Sequence, residues 1–253
     1  MKILTTIAKT IKRFHRARKM GFTFSRMKSF RTPSHILLSK KRLKVLVPKE
    51  EGIAELFRDI LLDDEYWLYS IPKDQVKTVL DVGANIGLFS VAARIRFPQS
   101  LIHAYEPNIQ AQAFLDHQAS TFQFKAMYEA IGIDEGWGTL ESASGCDTAA
   151  RVNTHADGNI RITSLTKAID RLGNQSIDLL KLDCEGYEHE IIDGCGHDGP
   201  LKRCRFLSME YHLGPDMNQD YITNKLRKLN FEIIKASNRN PVIGNILAKS
   251  TIN

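Results

Sequence analysis

From residue 77 onward, short apolar segments alternate with segments of helical periodicity, and this alternation restricts the fold more than any other feature of the chain. Residues 177–182 form a nearly unbroken apolar run, as expected of a strand buried on both faces. Strands that alternate with helices predict an α/β domain, with a mostly parallel sheet covered by helices on both faces. Further strands are expected at 43–47, 78–82, 101–105 and within 122–133, helices at 51–62 and 86–97, and a hairpin at 137–142. The last two predicted strands, 231–236 and 242–248, are expected to end the chain as an antiparallel pair.

Charge divides the chain into unequal parts. Residues 1–44 contain 14 Lys and Arg and no Asp or Glu, which leaves 21 basic against 29 acidic residues, a net charge of −8, in the remainder. We therefore expect a basic arm over residues 1–42, a lead-in of one strand and one helix over 43–76, and the α/β domain over 77–253. The net negative charge of the α/β domain argues against binding of nucleic acid by this domain.

The arm combines apolar and basic side chains at roughly helical spacing. The apolar ones are Ile3, Leu4, Ile7, Ile11 and Phe14, and the basic ones around them include Lys9, Lys12, Arg13 and Arg16. Such a helix could lie on an anionic membrane surface, pack on the domain, or be partly disordered. Its apolar stretch is too short and interrupted for a signal peptide, and no apolar run has the length of a bilayer span.

The chain is therefore expected to be cytoplasmic, with peripheral contact at a membrane surface left open. Its four cysteines contain no C-x-x-C pair and are expected to be reduced thiols, without a structural zinc site. They are Cys146, Cys184, Cys195 and Cys204.

A glycine-containing loop, residues 81–87, follows the first strand of the α/β domain. In open α/β sheets, ligands bind beyond the carboxyl ends of the strands. Gly83 permits a sharp turn, Gly87 permits close approach of the following helix, and the amides that begin this helix can face a carboxylate. The pattern is G-x-N-x-G, so Asn85 places a side chain where a pyrophosphate would need bare backbone. A nicotinamide dinucleotide is therefore disfavoured.

Carboxylates end three further predicted strands. Glu106 lies 23 residues beyond Gly83, near the offset at which an acidic residue meets ribose hydroxyls in such folds, and Pro107 then ends the strand. Asp183 and Glu185 follow the buried strand 177–182, and neighbouring carboxylates can bind a cation or a substrate hydroxyl. Lys181, within that strand, is expected to pair with a carboxylate.

The strand predicted at 205–209 leads to Glu210 and His212, which share a side of the chain if it stays extended. His212 is a candidate general base at neutral pH. It could also be no more than a packed residue.

Four of these segments together resemble the FkbM family of methyltransferases. They are LDVGANIGLFS at 80–90, AYEPN at 104–108, IDLLKLDCEGYEHEII at 177–192 and MEYH at 209–212. The resemblance runs from about residue 43 to about residue 235. It implies a class I methyltransferase fold, a Rossmann-like sandwich with a seven-stranded sheet whose last strand is antiparallel. It also implies S-adenosylmethionine as the methyl donor and O-methylation of a sugar, glycolipid or natural-product hydroxyl.

The resemblance assigns residues to two groups. The donor-binding group is Asp81, Gly83, Ala84, Asn85, Gly87, Glu106 and Pro107. Asp183, Glu185 and Gly186 match the second signature, near the site of methyl transfer. Two departures concern the acceptor side, since Leu165 is followed by Thr166 instead of Asp and Cys184 replaces an aliphatic residue.

Our working hypothesis makes Asp183 or His212 the catalytic base, with Glu185 and Glu210 orienting the acceptor or a cation. We assign no metal ligand, although so many carboxylates leave a metal possible. A small-molecule, glycan or lipid-linked hydroxyl acceptor is expected, and no nucleic acid, because the chain lacks an Asn-Pro-Pro-Tyr motif. The acceptor itself depends on loops such as 144–159 and is not identified, and the oligomeric state is open.

Two other functions remain as alternatives. One is a membrane-surface or scaffold protein with a degenerate methyltransferase fold, against which the intact loop and Glu106 argue. The other is a nicotinamide-dependent oxidoreductase, which Asn85 disfavours.

Overall fold

The computed structural model describes residues 2–24, 30–141, 151–154, 157–173, 176–196, 198–212, 218–238 and 243–252. Its helices are α1 (Lys2–Lys19), α2 (Ile53–Phe57), α3 (Leu88–Arg96), α4 (Ile109–Phe122), α5 (Leu165–Asp170), α6 (Glu188–Gly194) and α7 (Gln219–Lys228). Its strands are β1 (His35–Leu38), β2 (Lys41–Lys44), β3 (Thr78–Val82), β4 (Leu101–Tyr105), β5 (Lys125–Met127), β6 (Ala130–Gly132), β7 (Gly136–Glu141), β8 (Arg151–Thr154), β9 (Ile160–Ser164), β10 (Ile177–Leu182), β11 (Cys204–His212), β12 (Phe231–Asn238) and β13 (Ile243–Ser250).

The main sheet has seven strands in the order β12-β13-β11-β10-β3-β4-β5. The strands from β11 to β5 are parallel to one another. The last strand, β13, is antiparallel to both of its neighbours, β11 and β12. This topology confirms the α/β class, the mostly parallel sheet and the antiparallel last strand that the sequence predicts.

Helices cover both faces of this sheet because the apolar strand residues alternate between two cores. Val79 and Leu179 belong to the core beneath α1, α2 and α3. Leu80 and Leu180 belong to the opposite core, beneath α5, α6 and α7. Since side chains alternate along a strand, Asp81 and Lys181 fall on the α3 face. The functional carboxylates discussed below lie at the ends of these buried strands.

A smaller four-stranded sheet, β6-β9-β7-β8, stands beside the main one. It contains the hairpin expected at 137–142, since β7 pairs antiparallel with β8 and with β9. Residue 142 and much of the predicted acceptor loop, including 144–150, lie outside the described residues.

Several element boundaries differ from those predicted. The strand expected at 43–47 is instead a hairpin of β1 and β2 that ends at Lys44. The helix expected at 51–62 is α2 followed by a π-helical turn, Arg58–Asp63. Helix α3 begins at Leu88, two residues later than expected, because Gly87 has a left-handed φ of 84°.

Helix α1 packs on the turn Arg58–Asp63 through its polar side. The Nε and Nη2 atoms of Arg13 donate to the two carboxylate oxygens of Asp63 at 2.5 and 2.6 Å, and Arg16 donates to the Leu62 carbonyl at 2.8 Å. The opposite side of α1 faces outward, with Ile7, Ile11 and Phe14 51%, 63% and 49% exposed. Among the described residues, no helix is both long and apolar enough to cross a bilayer.

Candidate active site

A cavity with an empty volume of about 1010 Å³ opens at the carboxyl ends of β3, β4 and β10. One side is formed by residues 83–86 of the glycine-containing loop and by residues 106–108. Asp183, Cys184 and Glu185 form another side. Between them the wall is largely apolar, and it includes Leu88, Phe89, Ile131 and Ile162. The structure thus brings together loop residues 83–86, Glu106, Pro107, Asp183 and Glu185 at one cavity, whereas Asp81 and Gly87 do not line it.

The loop owes its shape to three residues with left-handed backbone. Gly83, Asn85 and Gly87 have φ values of 75°, 48° and 84°. A Cβ atom on Gly83 would lie 1.7 Å from the carbonyl oxygen of Asp183, so a side chain there would separate β3 from β10. The amides of Gly83 and Ala84 both donate to the Tyr105 carbonyl at 3.0 Å, which ties the loop to the end of β4.

Glu106 connects the end of β4 to the loop. Its carboxylate oxygens accept from the backbone amides of Asn85 at 2.7 Å and Asn108 at 2.8 Å. Burial, which leaves the residue 8% exposed, raises the pKa of this carboxyl from 4.5 to about 7. A carboxylate has about four lone-pair positions, so Glu106 can accept further hydrogen bonds from a ligand in the cavity.

Asp81 lies behind the loop, fully buried and outside the cavity wall. Its Oδ2 accepts from the Ser90 hydroxyl at 2.6 Å, and its Oδ1 lies 3.3 Å from the Lys181 ammonium. Lys181 also lies 3.4 Å from Asp183 Oδ2 and donates to the Gly83 carbonyl at 2.5 Å. Burial opposes the charge of Lys181, but the attraction of Asp183 and Asp81 outweighs it and raises the pKa. This pairing, expected from the sequence, joins the loop to Asp183.

Asp183 lines the cavity, and its two carboxylate oxygens differ in their hydrogen bonds. Its Oδ2 accepts a 2.7 Å hydrogen bond from the hydroxyl of Tyr66. Its Oδ1 has no hydrogen-bond partner among the described residues. Burial and the neighbouring charge of Asp183 hold the pKa of Tyr66 well above its usual range, so its hydroxyl remains a donor. A fixed carboxylate with one free oxygen is suited to accept a proton.

Three titratable side chains form a network beside Asp183. His212 Nε2 lies 3.0 Å from Glu185 Oε2, and Nδ1 lies 3.5 Å from Glu188 Oε2. Burial favours the neutral imidazole of His212, but Glu185 and Glu188 outweigh it and raise the pKa to about 10. The raised pKa favours the protonated imidazole, whereas a general base must be unprotonated; the choice between Asp183 and His212 as the base stays a prediction. Burial raises the pKa of Glu185, while the bond from His212 opposes that rise.

Glu210 is 7% exposed and is absent from the wall of this cavity. It lies on β11 directly opposite Asn245 of β13.

Asp183, Glu188 and His212 each offer an atom that could bind a metal ion, and these atoms lie within 4.8 Å of one another. Two features oppose such a use. His212 is held as a cation, and Glu188 already accepts from the backbone amides of Cys184 and Gly186. The absence of an assigned metal ligand stays a prediction.

Two residues of this site were missed by the sequence interpretation. Tyr66 stands 117 positions before its partner Asp183, and no local pattern connects them. Glu188 belongs to the second signature, and its position four residues after Cys184, whose amide it accepts from, could have indicated a turn stabilised by a carboxylate.

Known proteins share both the sequence and the fold. The profile of the methyltransferase FkbM domain matches residues 81–233. The 31-O-demethyl-FK506 methyltransferase FkbM of Streptomyces tacrolimicus is 25% identical over 192 residues, which cover 62% of this chain and 74% of that protein. The AMB antimetabolite synthetase AmbE of Pseudomonas aeruginosa is 24% identical over 262 residues. That match covers 82% of this chain but 12% of the synthetase, so the chain spans a small part of that relative.

Among solved structures, the METTL16 MTase domain aligns with a TM-score of 0.50 and 12% identity, covering 83% of this chain and 74% of that one. With the sheet topology, this likeness confirms the predicted class I methyltransferase fold.

Proposed function

Because the chain belongs to the FkbM methyltransferase family and uses S-adenosylmethionine as its methyl donor, we propose that it methylates a hydroxyl oxygen of a sugar, glycolipid or natural-product acceptor. The observation that carries this proposal is the Asp183 carboxylate, fixed at the cavity that the donor loop also lines. The name of the FK506 methyltransferase describes an O-methylated product for that relative, which supports oxygen as the acceptor atom.

The residues around the cavity suit the chemical groups of the donor. Glu106 is a buried acceptor for the ribose hydroxyls. The amides of Ala84 and Asn85 already donate to Tyr105 and Glu106. The carboxylate of the methyl donor is therefore assigned to the amides of Ile86 and Leu88, at the start of α3. Ile131 and Ile162 offer an apolar surface for the adenine. Asp81 supports this arrangement from behind, through Ser90 and Lys181. When bound, S-adenosylmethionine supplies a methyl group on a positively charged sulfur.

Asp183 is the base in this proposal. Its Oδ1, which has no hydrogen-bond partner among the described residues, would accept the proton of the acceptor hydroxyl, while Tyr66 and Lys181 hold Oδ2 in place. A fixed base and a fixed acceptor remove much of the entropic barrier to the reaction.

Glu185 and His212 act by positioning. The bond from the His212 cation fixes the Glu185 carboxylate at the cavity wall, where it can accept from a second hydroxyl of the acceptor. Glu210 does not line this cavity, and its role in orienting the acceptor or a cation stays a prediction.

The test combines donor binding with turnover. Calorimetry with S-adenosylmethionine and NAD⁺ in parallel should show binding of the first alone; binding of neither would favour the degenerate scaffold. A screen of glycan and lipid-linked acceptors with labelled donor then identifies a substrate. With it, Asp183→Asn should lower kcat by about 10² to 10⁴, the contribution of a general base, with donor affinity nearly unchanged. Equal turnover would remove Asp183 from the mechanism.

We also propose that α1 holds the protein at an anionic membrane surface. Ile7, Ile11 and Phe14 form an outward apolar stripe, and Lys12 and Arg18 are exposed near it. An amphipathic helix of this kind buries its apolar side in the headgroup region while its basic residues attract anionic lipid. Arg13 and Arg16 contribute less to the attraction of anionic lipid than the sequence suggested, because they form ion pairs with Asp63 and Asp64 of the protein itself.

Sedimentation with vesicles tests this second proposal. The full chain should bind vesicles containing phosphatidylglycerol and bind pure phosphatidylcholine weakly. Ile11→Asp should weaken binding about tenfold or more, since burying an isoleucine is worth about 1.5–3 kcal/mol. Ile109→Asp is the matched control, because Ile109 is 75% exposed on a different helix. Equal vesicle binding by both variants, or a dimer that Ile11→Asp dissociates, would contradict membrane attachment.

A further inference from the structure

The hairpin of β1 and β2 continues the exposed surface of α1, and we propose that it is a second contact with the membrane. The partner is the surface of a bilayer that contains anionic phospholipid. This inference rests on the membrane attachment proposed for α1 and goes beyond it. A helix alone can roll about its axis on a bilayer, whereas a second contact beside it fixes the orientation of the whole protein.

The apolar stripe of α1 leads towards this hairpin. Phe14, the last residue of the stripe, and the exposed Arg18 are four positions apart, so they lie on the same side of the helix. Gly21 follows three positions later, in the turn that ends the helix, where its amide donates to the Arg18 carbonyl at 3.1 Å. The row of outward side chains on α1 therefore ends beside Gly21.

Leu37 of β1 meets the end of this row. Its amide donates to the Met20 carbonyl at 2.7 Å, and a Cβ atom on Gly21 would lie 2.9 Å from the Cβ atom of Leu37. The Leu37 side chain is nevertheless 41% exposed. Helix α1 and the hairpin thus form one continuous surface, on which Leu37 extends the apolar stripe.

The pairing of the hairpin places basic side chains next to Leu37. Leu37 pairs with Arg42, and His35 pairs with Lys44. Paired residues point to the same face of a sheet, and side chains alternate along each strand, so Leu37, Arg42 and Lys44 share one face. Arg42 and Lys44 are both exposed. This face therefore combines an apolar side chain with two cations, as α1 does.

The opposite face of the hairpin is fixed to the domain. Ile36 is 1% exposed, and its partner Leu43 packs with it in the core beneath α1, α2 and α3. Directly after β2, the Leu46 carbonyl accepts a 2.8 Å hydrogen bond from Nε2 of Gln118 on α4. The hairpin is thus held by buried contacts, and its outward face would meet a membrane together with the stripe of α1.

Charge identifies the partner. Residues 30–49 contain no Asp or Glu, and their exposed basic residues are Arg31, Lys40, Lys41, Arg42, Lys44 and Lys49. An anionic bilayer attracts each Lys or Arg near its surface. A second copy of the chain would place two such basic faces against each other in a symmetric dimer, which repulsion opposes. Nucleic acid would match the charge, but exposed apolar side chains between the cations suit insertion among lipid headgroups.

Sedimentation of the full chain with vesicles of phosphatidylglycerol and phosphatidylcholine tests the hairpin. The double variant Arg42→Gln/Lys44→Gln should weaken vesicle binding about ten- to thirtyfold at low ionic strength, the effect of two charges lost near an anionic surface. Its matched control is Arg227→Gln/Lys228→Gln, which removes the same charge from exposed positions on α7, over the opposite core. The control should bind as the wild type does.

A second variant tests the apolar part of the contact. Leu37→Ser should weaken vesicle binding about three- to tenfold, because less apolar surface is then buried among the headgroups. Ile109→Ser, at a position 75% exposed on α4, is its control and should bind as the wild type does. All four variants are at exposed positions, and an unchanged midpoint of urea unfolding shows that they are folded.

Ile11→Asp, measured on the same vesicles, separates the possible failures. If Ile11→Asp weakens binding while both hairpin variants bind as their controls do, the hairpin proposal is overturned and attachment through α1 stands. If the wild type does not bind anionic vesicles, both membrane proposals are overturned and the methyltransferase proposal stands. Hairpin variants that keep vesicle binding but dissociate a dimer, or lose affinity for a DNA or RNA oligonucleotide, would also overturn the hairpin proposal.

Discussion

Replacement of Glu106 by glutamine should have two separable effects, one on the pH dependence of the unfolding free energy and one on the affinity for the donor. In the folded protein, burial raises the pKa of Glu106 from 4.5 to about 7. The folded state therefore holds this proton more tightly than the unfolded chain does. The free energy of unfolding is highest below pH 4.5 and falls as the pH rises towards 7, by about 3 kcal/mol for a shift of this size. Glu106→Gln has no such titration.

The substitution also changes a hydrogen bond. A glutamine has one acceptor oxygen, so the backbone amide of either Asn85 or Asn108 loses its partner, at a cost of about 1–3 kcal/mol. We expect the variant to be less stable than the wild type at pH 5. Near pH 8 the titration of Glu106 has cost the wild type about 3 kcal/mol of its free energy of unfolding, at least as much as the variant loses with its hydrogen bond. The free energy of unfolding of the variant should therefore equal that of the wild type or exceed it by up to about 2 kcal/mol.

Urea unfolding followed by circular dichroism between pH 5 and 8 measures this crossover. Glu232→Gln, at an exposed position on β12, is the control and should follow the wild-type curve. At pH 8 the variant should bind S-adenosylmethionine about ten- to 150-fold more weakly, the effect of losing a charge-assisted hydrogen bond of about 1.5–3 kcal/mol. If Glu106→Gln instead keeps the wild-type dependence of stability on pH, the pKa of Glu106 is not raised in the folded protein.

Three further predictions concern single residues. Gly83→Ala would place a methyl group 1.7 Å from a backbone carbonyl oxygen, so calorimetry should detect no donor binding and urea unfolding should show a loss of more than about 2 kcal/mol. His212, whose pKa is about 10, should show no imidazole deprotonation by NMR between pH 6 and 9; its stabilising effect should be present below pH 6.5 and disappear as the pH rises through 10. Arg13→Ala removes the bidentate partner of Asp63, which Lys9 still contacts, and should lower the unfolding free energy by about 1.5–3 kcal/mol, whereas the same change at the exposed Lys12 should have little effect.

The main sheet could be predicted because each of its strands carries a local signal. The boundaries of β3, β4 and β10 agree with the segments expected at 78–82, 101–105 and 177–182. Their residues are mostly apolar and are followed by glycine, proline or charged groups, so both the burial and the end of each strand are encoded in the segment itself. The segment 122–133 was less clear, because it divides into β5 and β6, which join different sheets.

The site was predictable where its residues follow directly from strand ends, as Glu106, Asp183 and Glu185 do. The protonation state of His212 was not predictable, because it depends on contacts with Glu185 and Glu188 that form only in the folded structure. The sequence also could not predict which side of α1 faces the domain. Its polar side faces the domain because Asp63 and Asp64 supply buried partners, and hydrophobic periodicity alone would turn the apolar side inward.

The hydrogen bond from Tyr66 to Asp183 has a consequence for folding. It joins residues 117 positions apart, and the bond from Ser208 to Tyr66 joins residues 142 apart. Contacts of such long sequence separation require closure of large loops, which slows their formation, whereas the contact between Glu106 and Asn85 spans 21 positions. During refolding, the donor loop should thus be in place before the base is held by its tyrosine. Recovery of turnover should therefore lag behind recovery of S-adenosylmethionine binding.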